Sequence, residues 1–306
     1  MQIHLGTGAR RAEWERAVVC VGTFDGVHLG HEAVIRKAVG DAREAELPCV
    51  LVTFDRHPAS ILAPARTPPT LATVNQNLRR FAALGVSVVL VLPFDAALSR
   101  MSADQFLNDI LVGSLKAVKV VVGHDFAMGN GREGNTDWLA ARIPTDVVPP
   151  FELEGERVSS SDIRRAVIAG DVERAARLLG RPYALEGVIV GGQRLGRTLG
   201  YPTANLARST HLALPADGVY AGAYESPTGR FLAATAIGTR PAVGGGARTV
   251  ESYLLDYPGD SLYGLPARVE FHHRLRGEEN FPSLDALVEQ MARDVAQTRS
   301  LLSDRT

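Results

Sequence analysis

AVVCVGTFDGVHLGHEAVIRKAVGDAREA (residues 17–45) places a strand, a glycine-rich turn and a helix in that order. The run up to Phe24 is apolar without alternation, as in a strand covered on both faces. From His31 onward the apolar residues fall at helical spacing. The order then repeats. CVLVTF (49–54), SVVLVLPF (87–94) and AVKVVVG (117–123) read as strands, while NQNLRRFAALG (75–85) and SADQFLNDILVG (102–113) read as helices, the second opening on a Ser102/Gln105 capping box. The alternation predicts a parallel sheet sheathed by helices, with a ligand beyond the carboxyl ends of its strands.

The pattern changes past the middle of the chain. SSSDIRRAVIAGDVERAARLLG (159–180) predicts two short helices, with Gly170 between them and Gly180 ending the second. After Arg181-Pro182 the apolar runs become short and are separated by Gly/Pro turns: YALEGVIVGG, GVYAGAYES, FLAATAIG, TVESYLLDY and ARVEFHHRL. That spacing suggests a small antiparallel barrel or sandwich. A final helix, SLDALVEQMARDVAQTRSLL, is expected to dock through Leu284, Leu287, Val288, Met291 and Val295. Two domains, 1–182 and 183–306, are expected.

Composition narrows the functional classes. The 306 residues are 45% hydrophobic and 22% charged, with a net charge of −1, which suits a packed soluble protein and argues against bulk nucleic-acid binding. No apolar run has the ~18 residues of a membrane span, and MQIHLGTGARRAEWER has no apolar signal core. Cys20 and Cys49 sit in apolar runs and read as buried, inert thiols, consistent with a cytoplasmic protein; a monomer or weak oligomer is expected.

Two stretches point to phosphate chemistry. In the turn after the first strand, Gly26 and Gly30 admit a phosphate to the backbone, and His28 and His31 sit where a helix N-terminus already favours an anion. Paired imidazoles there can stabilise charge on a transferring phosphate; a zinc site would need further ligands that the sequence lacks. His57, after the next strand, is a candidate for the same pocket, or simply a loop histidine beside Pro58. Ser160, Ser161 and Arg164 could hold phosphate oxygens, although serines before a helix are also ordinary caps. The second stretch is PTAN. Thr203 and Asn205 lie two apart and face one way in an extended chain, offering hard oxygen ligands to Mg²⁺. Gly191 and Gly196 leave the preceding backbone open, Arg197 could neutralise charge, and Glu251 is a carboxylate on a strand that could act as a base.

GTFDGVHLGH, TFDRHP, GHDFAMGNGREGN and VSSSDIRRAVIAGDVERAARLLGRPY, followed by GVIVGGQRLGRTLGYPTANL, IGTRP, VESYLLDY and LRGEENFPSLDAL, together resemble the bacterial bifunctional riboflavin kinase/FAD synthetase family from about Val18 to Arg299. The resemblance implies an α/β Rossmann-like nucleotidyltransferase domain with a parallel sheet, then a six-stranded flavokinase-like antiparallel β-barrel with a C-terminal helix. It implies ATP, riboflavin and FMN as substrates, with Mg²⁺. It places Gly22, Phe24, Gly26, His57, Asp125, Ser160, Ser161 and Arg164 at the nucleotide of the first domain, with His28 and His31 catalytic. In the second it places Gly191, Gly196 and Arg197 at the nucleotide, Thr203 and Asn205 at the metal, Glu251 as base, and Arg276, Glu278 and Phe281 towards the flavin. The chain departs from the family pattern at Arg56, Ala127, Met128, Ala236 and Ala242. A monofunctional riboflavin kinase with a degenerate first domain, and a flavin-binding regulator without turnover, are the alternatives.

Overall fold

The computed structural model describes residues 1–6, 14–192, 200–239, 248–259 and 261–303. The chain divides into two compact units, Met1–Ser160 and Ser161–Thr306. In the first, β1 (Gln2–Leu5), β2 (Ala17–Val21), β3 (Cys49–Phe54), β4 (Val88–Leu92), β5 (Ala117–Gly123) and β6 (Thr145–Val148) form one parallel sheet in the order β1-β4-β3-β2-β5-β6. Side-chain alternation along β2 splits the core. Val18 and Cys20 join Ile35, Ala38 and Phe81 of α1 (Leu29–Glu44) and α2 (Val74–Ala83). Val19 and Val21 join Phe106 and Leu111 of α3 (Ala103–Ser114) on the other face. The Ser102/Gln105 capping box forms as read, but from Phe106 on α3 widens to π-helical turns.

The edge strands β1 and β6 were not legible, because QIHL and TDVV are short and only partly buried. β6 is held by charge. Lys37 of α1 and Lys119 of β5 both bind Asp146, at 2.5 and 2.8 Å, and both bind Asp41. Hydrogen bonds from Lys119 and Lys37 hold the Asp146 carboxyl down at about 2. A depressed acid contributes stability above its unfolded pKa of roughly 4 and loses it as pH falls towards the folded value. The melting temperature should therefore drop between those values, and drop less in Asp146→Asn.

Burial pushes the Cys49 thiol up to about 12, helped by Asp41, and pushes Cys20 up as well. Neither should react with an aromatic disulfide reagent in the native protein, and both should on unfolding.

The second unit opens with α4 (Ser160–Ala169) and α5 (Val172–Leu179), and α5 ends at Gly180 with φ of 72°. β7 (Tyr183–Val190), β8 (Thr203–Arg208), β9 (Gly218–Ser226), β10 (Gly229–Thr239), β11 (Arg248–Leu254) and β12 (Pro266–Arg276) close into an antiparallel barrel, ordered β7-β8-β11-β10-β9-β12. Tyr183, Tyr220 and Phe271 are almost fully buried, and Thr235 and Ser252 satisfy each other inside at 2.9 Å. Closure needs close strand contact: a Cβ on Gly222 would fall 1.8 Å from the Glu270 carbonyl oxygen.

α6 (Leu284–Leu302) corrects one expectation. Leu284 is 59% exposed, and the most buried residues of the helix are Asp294, Thr298 and Leu302. Polar residues occupy the helix's inner line because Asp294 has a strong partner. Arg276 of β12 grips its carboxylate at 2.9–3.2 Å, Gln290 donates to it at 2.9 Å, and the Thr298 hydroxyl donates to the Asp294 carbonyl at 2.8 Å. Removing one member of such a buried pair typically costs about 3–5 kcal/mol. Asp294→Ala should lower the midpoint of urea unfolding accordingly.

Candidate active sites

The sheet of the first unit reverses direction at β2. The chain runs from β2 to β3 and β4 on one side, then crosses to β5 on the other. The carboxyl ends of β2 and β5 therefore flank a switch-point crevice, the usual ligand position in such sheets. Gly22–His31 leave the first end, and Gly123-His124-Asp125 leave the second.

The turn after β2 is tightly wound. Phe24 and Val27 have φ of 49° and 40°, a region that β-branched and bulky residues rarely enter, and Gly26 has φ of 78°. Burial holds them there: Val27 is 0% and Phe24 3% exposed. The Phe24 ring folds back so closely that a Cβ on Gly22 would lie 2.7 Å from it. Asp25, which sequence reading did not single out, ties the turn down. Its carboxylate accepts from the backbone of Leu71 and Ala72 at 2.8–3.3 Å, and its carbonyl accepts from the Ser160 hydroxyl at 3.1 Å. Thr53, at the end of β3, donates to the Thr23 carbonyl at 3.1 Å.

His28 is the N-cap of α1. Its Nδ1 accepts the backbone N–H of His31 at 3.3 Å, which leaves Nε2 as the protonated nitrogen of the neutral ring. The His28 and His31 rings stack at 3.6 Å between centroids, and Phe24 meets His31 edge-on at 5.3 Å. Gly30 keeps room for this, since a Cβ there would lie 3.2 Å from the His28 ring. The arrangement puts ring N–H donors beside the unpaired amides of a sixteen-residue helix.

The remaining residues read for this site have other surroundings. His57 follows β3, and its Nδ1 accepts from Ala59 N–H at 3.1 Å, so the loop-histidine role is filled whatever else the ring does. Asp125 is 72% exposed at the end of β5, where Arg157 approaches its carboxylate at 3.4 Å and Arg132 donates to its carbonyl at 3.0 Å. Ser161 and Arg164 lie on α4 in the second unit, and Arg164 is buried.

Two departures from the family pattern acquire a structural account. Arg56 forks onto Asp55 at 2.8–3.1 Å. Burial alone would raise the Asp55 carboxyl, but the bonds from Arg56 and from Phe94 N–H bring it below the usual range. Ala127 and Met128 form a short hairpin with Gly134 and Asn135, and Met128 joins the core packed on α3.

In the second unit, Thr203, Asn205 and Glu251 share the outer face of the barrel. The inward residues are Ala204 and Leu206 on β8 and Val250 and Ser252 on β11. Asn205 pairs with Glu251 across the ladder. The two Glu251 oxygens accept from different hydroxyls, Thr203 on Oε2 and Thr249 on Oε1, both at 3.3 Å. Asn205 is 9% exposed because Gly192 lies over it; a Cβ there would fall 2.4 Å from Asn205 Nδ2. Gly191 adjoins it, while Gly196 and Arg197 lie outside the described residues. Ala236 is exposed and faces Glu251 in register; Ala242 lies outside the described residues.

Of Arg276, Glu278 and Phe281, Glu278 is the one that approaches this set. Arg276 lies over the Phe281 ring at 5.5 Å. Glu278 reaches across β10, so that a Cβ on Gly238 would lie 2.8 Å from its carboxylate, and the Gly238 carbonyl neighbours the Thr249 hydroxyl at 3.5 Å. Glu278 thus comes near the Thr249 side of the Glu251 cluster. Arg276 itself is engaged by Asp294, a residue that the sequence reading did not single out.

Each unit presents oxygen and nitrogen groups suited to phosphate transfer, which puts the chain in the class of two-module, nucleotide-using transferases. The family model described as FAD synthetase matches residues 10–162, and that described as riboflavin kinase matches residues 179–302. The bifunctional riboflavin kinase/FMN adenylyltransferase of Pseudomonas fluorescens is 37% identical over 98% of both chains, and that of Escherichia coli (strain K12) is 36% identical over 94% of both. A crystal structure described as a macrolide-efflux protein from Streptococcus pneumoniae superposes with a TM-score of 0.86 at 31% identity, over 93% of this chain and 94% of that one. The chain belongs to the bifunctional riboflavin kinase/FMN adenylyltransferase family. Among the described residues, no helix is long and apolar enough to cross a membrane.

Proposed function

We propose that Glu251 is the base of a riboflavin kinase site and that His28 and His31 serve an FMN adenylyltransferase site, with the module boundary near residue 182. In the first reaction, Glu251 takes the proton of riboflavin's primary hydroxyl as that oxygen bonds to the γ-phosphorus of ATP and ADP leaves. The residues fit Mg²⁺: Thr203 and Asn205 offer neutral hard oxygens, and Gly192 cradles the Asn205 amide. When bound, the ion would supply charge neutralisation at the phosphates. Thr203 and Asn205 hold it, Gly191 and Arg197 border the nucleotide, and Arg276, Glu278 and Phe281 border the flavin.

In the second reaction, an FMN phosphate oxygen attacks the α-phosphorus of another ATP and pyrophosphate leaves. His28 Nε2–H and His31 donate to the charge that builds on the phosphates. Gly22, Phe24 and Gly26 shape the turn beside them, and Asp125 and His57 border the nucleotide. Ser160, Ser161 and Arg164 take the phosphate-binding role that the SSSDIR motif implies. The reaction suits a cytoplasmic enzyme.

The observation that carries the proposal is the in-register Thr203–Asn205–Glu251 set on the barrel's outer face. Its test is one incubation of purified protein with riboflavin, ATP and Mg²⁺, resolved by chromatography. FMN followed by FAD is expected. Product stopping at FMN would leave a monofunctional kinase, and flavin binding without ATP consumption would leave a regulator.

A further inference from the structure

The turn that carries the two imidazoles is braced by α2 and the residues leading into it. The Asp25 carboxylate accepts from Leu71 and Ala72, which immediately precede Thr73, the N-cap of α2. The Phe24 ring, which meets His31 edge-on, also meets Phe81 of α2 edge-on, at 5.9 Å. A further contact is ionic. Glu32 follows His31 in the first turn of α1 and is only 5% exposed. Arg80 of α2 grips one of its oxygens: Nε donates to Oε1 at 2.8 Å, and a terminal guanidinium nitrogen joins it there. Arg36, one turn further along α1, donates to the other oxygen at 3.2 Å.

A carboxylate buried this deeply keeps its place only while its partner does. Arg36 is a weak substitute, since its side chain is 64% exposed. Without Arg80 the Glu32 carboxylate must either leave the interior, pulling on the first turn of α1, or remain as a poorly compensated negative charge one residue from His31. Both outcomes harm a site that has to stabilise charge on phosphates. Glu32 and Arg80 lie outside the stretches that carry the family resemblance. We infer that Arg80 is a positioning residue for the adenylyl reaction: through Glu32 it fixes the first turn of α1, and with it the His28–His31 stack. The inference rests on the adenylyl reading of that turn.

The test uses the full-length protein with Arg80→Met, which keeps the stem, and Arg80→Lys, which keeps the charge without the fork. Asp146→Asn is the control, because it also removes ion pairs of the first unit, but at the β6 edge. FAD formation from FMN and FMN formation from riboflavin are followed separately. Arg80→Met should lower kcat for FAD formation about tenfold, with the KM for ATP within about twofold of wild type, because lost alignment acts on the chemical step. Arg80→Lys should fall between, and it carries the test should Arg80→Met fold poorly. FMN formation should match wild type in every variant, and Asp146→Asn should match it in both reactions. An unchanged kcat for FAD formation in both Arg80 variants overturns the inference. So does an equal loss in Asp146→Asn, which reduces Arg80 to a contributor to stability. NMR of the His28 and His31 ring protons supplies a second readout: their resonances should shift in Arg80→Met and stay in place in Asp146→Asn. Should the wild-type protein make no FAD, the adenylyl reading fails, while unmoved resonances in Arg80→Met separately overturn the positioning role.

Discussion

Glu251→Gln slows FMN formation from riboflavin by about 10²–10⁴ while leaving FAD formation from supplied FMN intact: this is the largest effect expected. Glutamine keeps the shape and can still accept from one of the two hydroxyls, Thr203 or Thr249, that donate to the separate carboxylate oxygens at 3.3 Å, but it cannot take a proton. Loss of a positioned base costs about 10²–10⁴ in rate. The loss should appear in kcat with little change in the KM for ATP, since Glu251 is not one of the residues proposed to hold the nucleotide. Chromatography of two parallel reactions, one started from riboflavin and one from FMN, checks this. Undiminished FMN production by Glu251→Gln would remove Glu251 as the base.

The second large effect is expected at His28. His28→Ala should accumulate FMN and slow FAD formation by about 10²–10³, the usual cost of losing one preorganised donor. The substitution also removes the cap of α1, because His28 Nδ1 accepts from His31 N–H. Cap loss costs about 1 kcal/mol. His28→Asn separates the two contributions: asparagine restores a cap acceptor without restoring the ring N–H. Its melting temperature should recover while its adenylyl activity stays low. Recovery of both would reduce the imidazole to a helix cap.

Much of this was legible in the chain, for identifiable reasons. The doubly covered strands of the first unit are continuous apolar runs, and the barrel strands are short runs bounded by turns, so periodicity alone separates the two architectures. The phosphate-handling residues sit in short motifs with fixed offsets, and those offsets survive folding: Thr203 and Asn205 do share a face. What escaped was whatever depends on a partner far away in sequence. Thr249 and Asp294 look ordinary until β11 meets β8 and α6 meets β12. Asp25 carries the same lesson, since its partners Leu71 and Ala72 come from a loop more than forty positions on. β1 and β6 were missed because edge strands bury too little to impose a pattern. On α6, Leu287, Val288, Met291 and Val295 are partly buried as read, but Leu284 was misplaced, because hydrophobicity ranks it above Asp294 whereas the Arg276 partnership reverses that order.

The proposed kinase residues stand on the outside of a closed barrel whose interior is filled by its own tyrosines, phenylalanine and aliphatic side chains. Foldability and chemistry are therefore written on opposite sides of the same strands, at alternate positions. A laboratory library that randomises only the outward sites of β8, β10 and β11 could retune substrate preference while every inward site goes on specifying the same cylinder. The protein is in this respect a ready-made scaffold, with its tolerance for change concentrated where its reactivity lies.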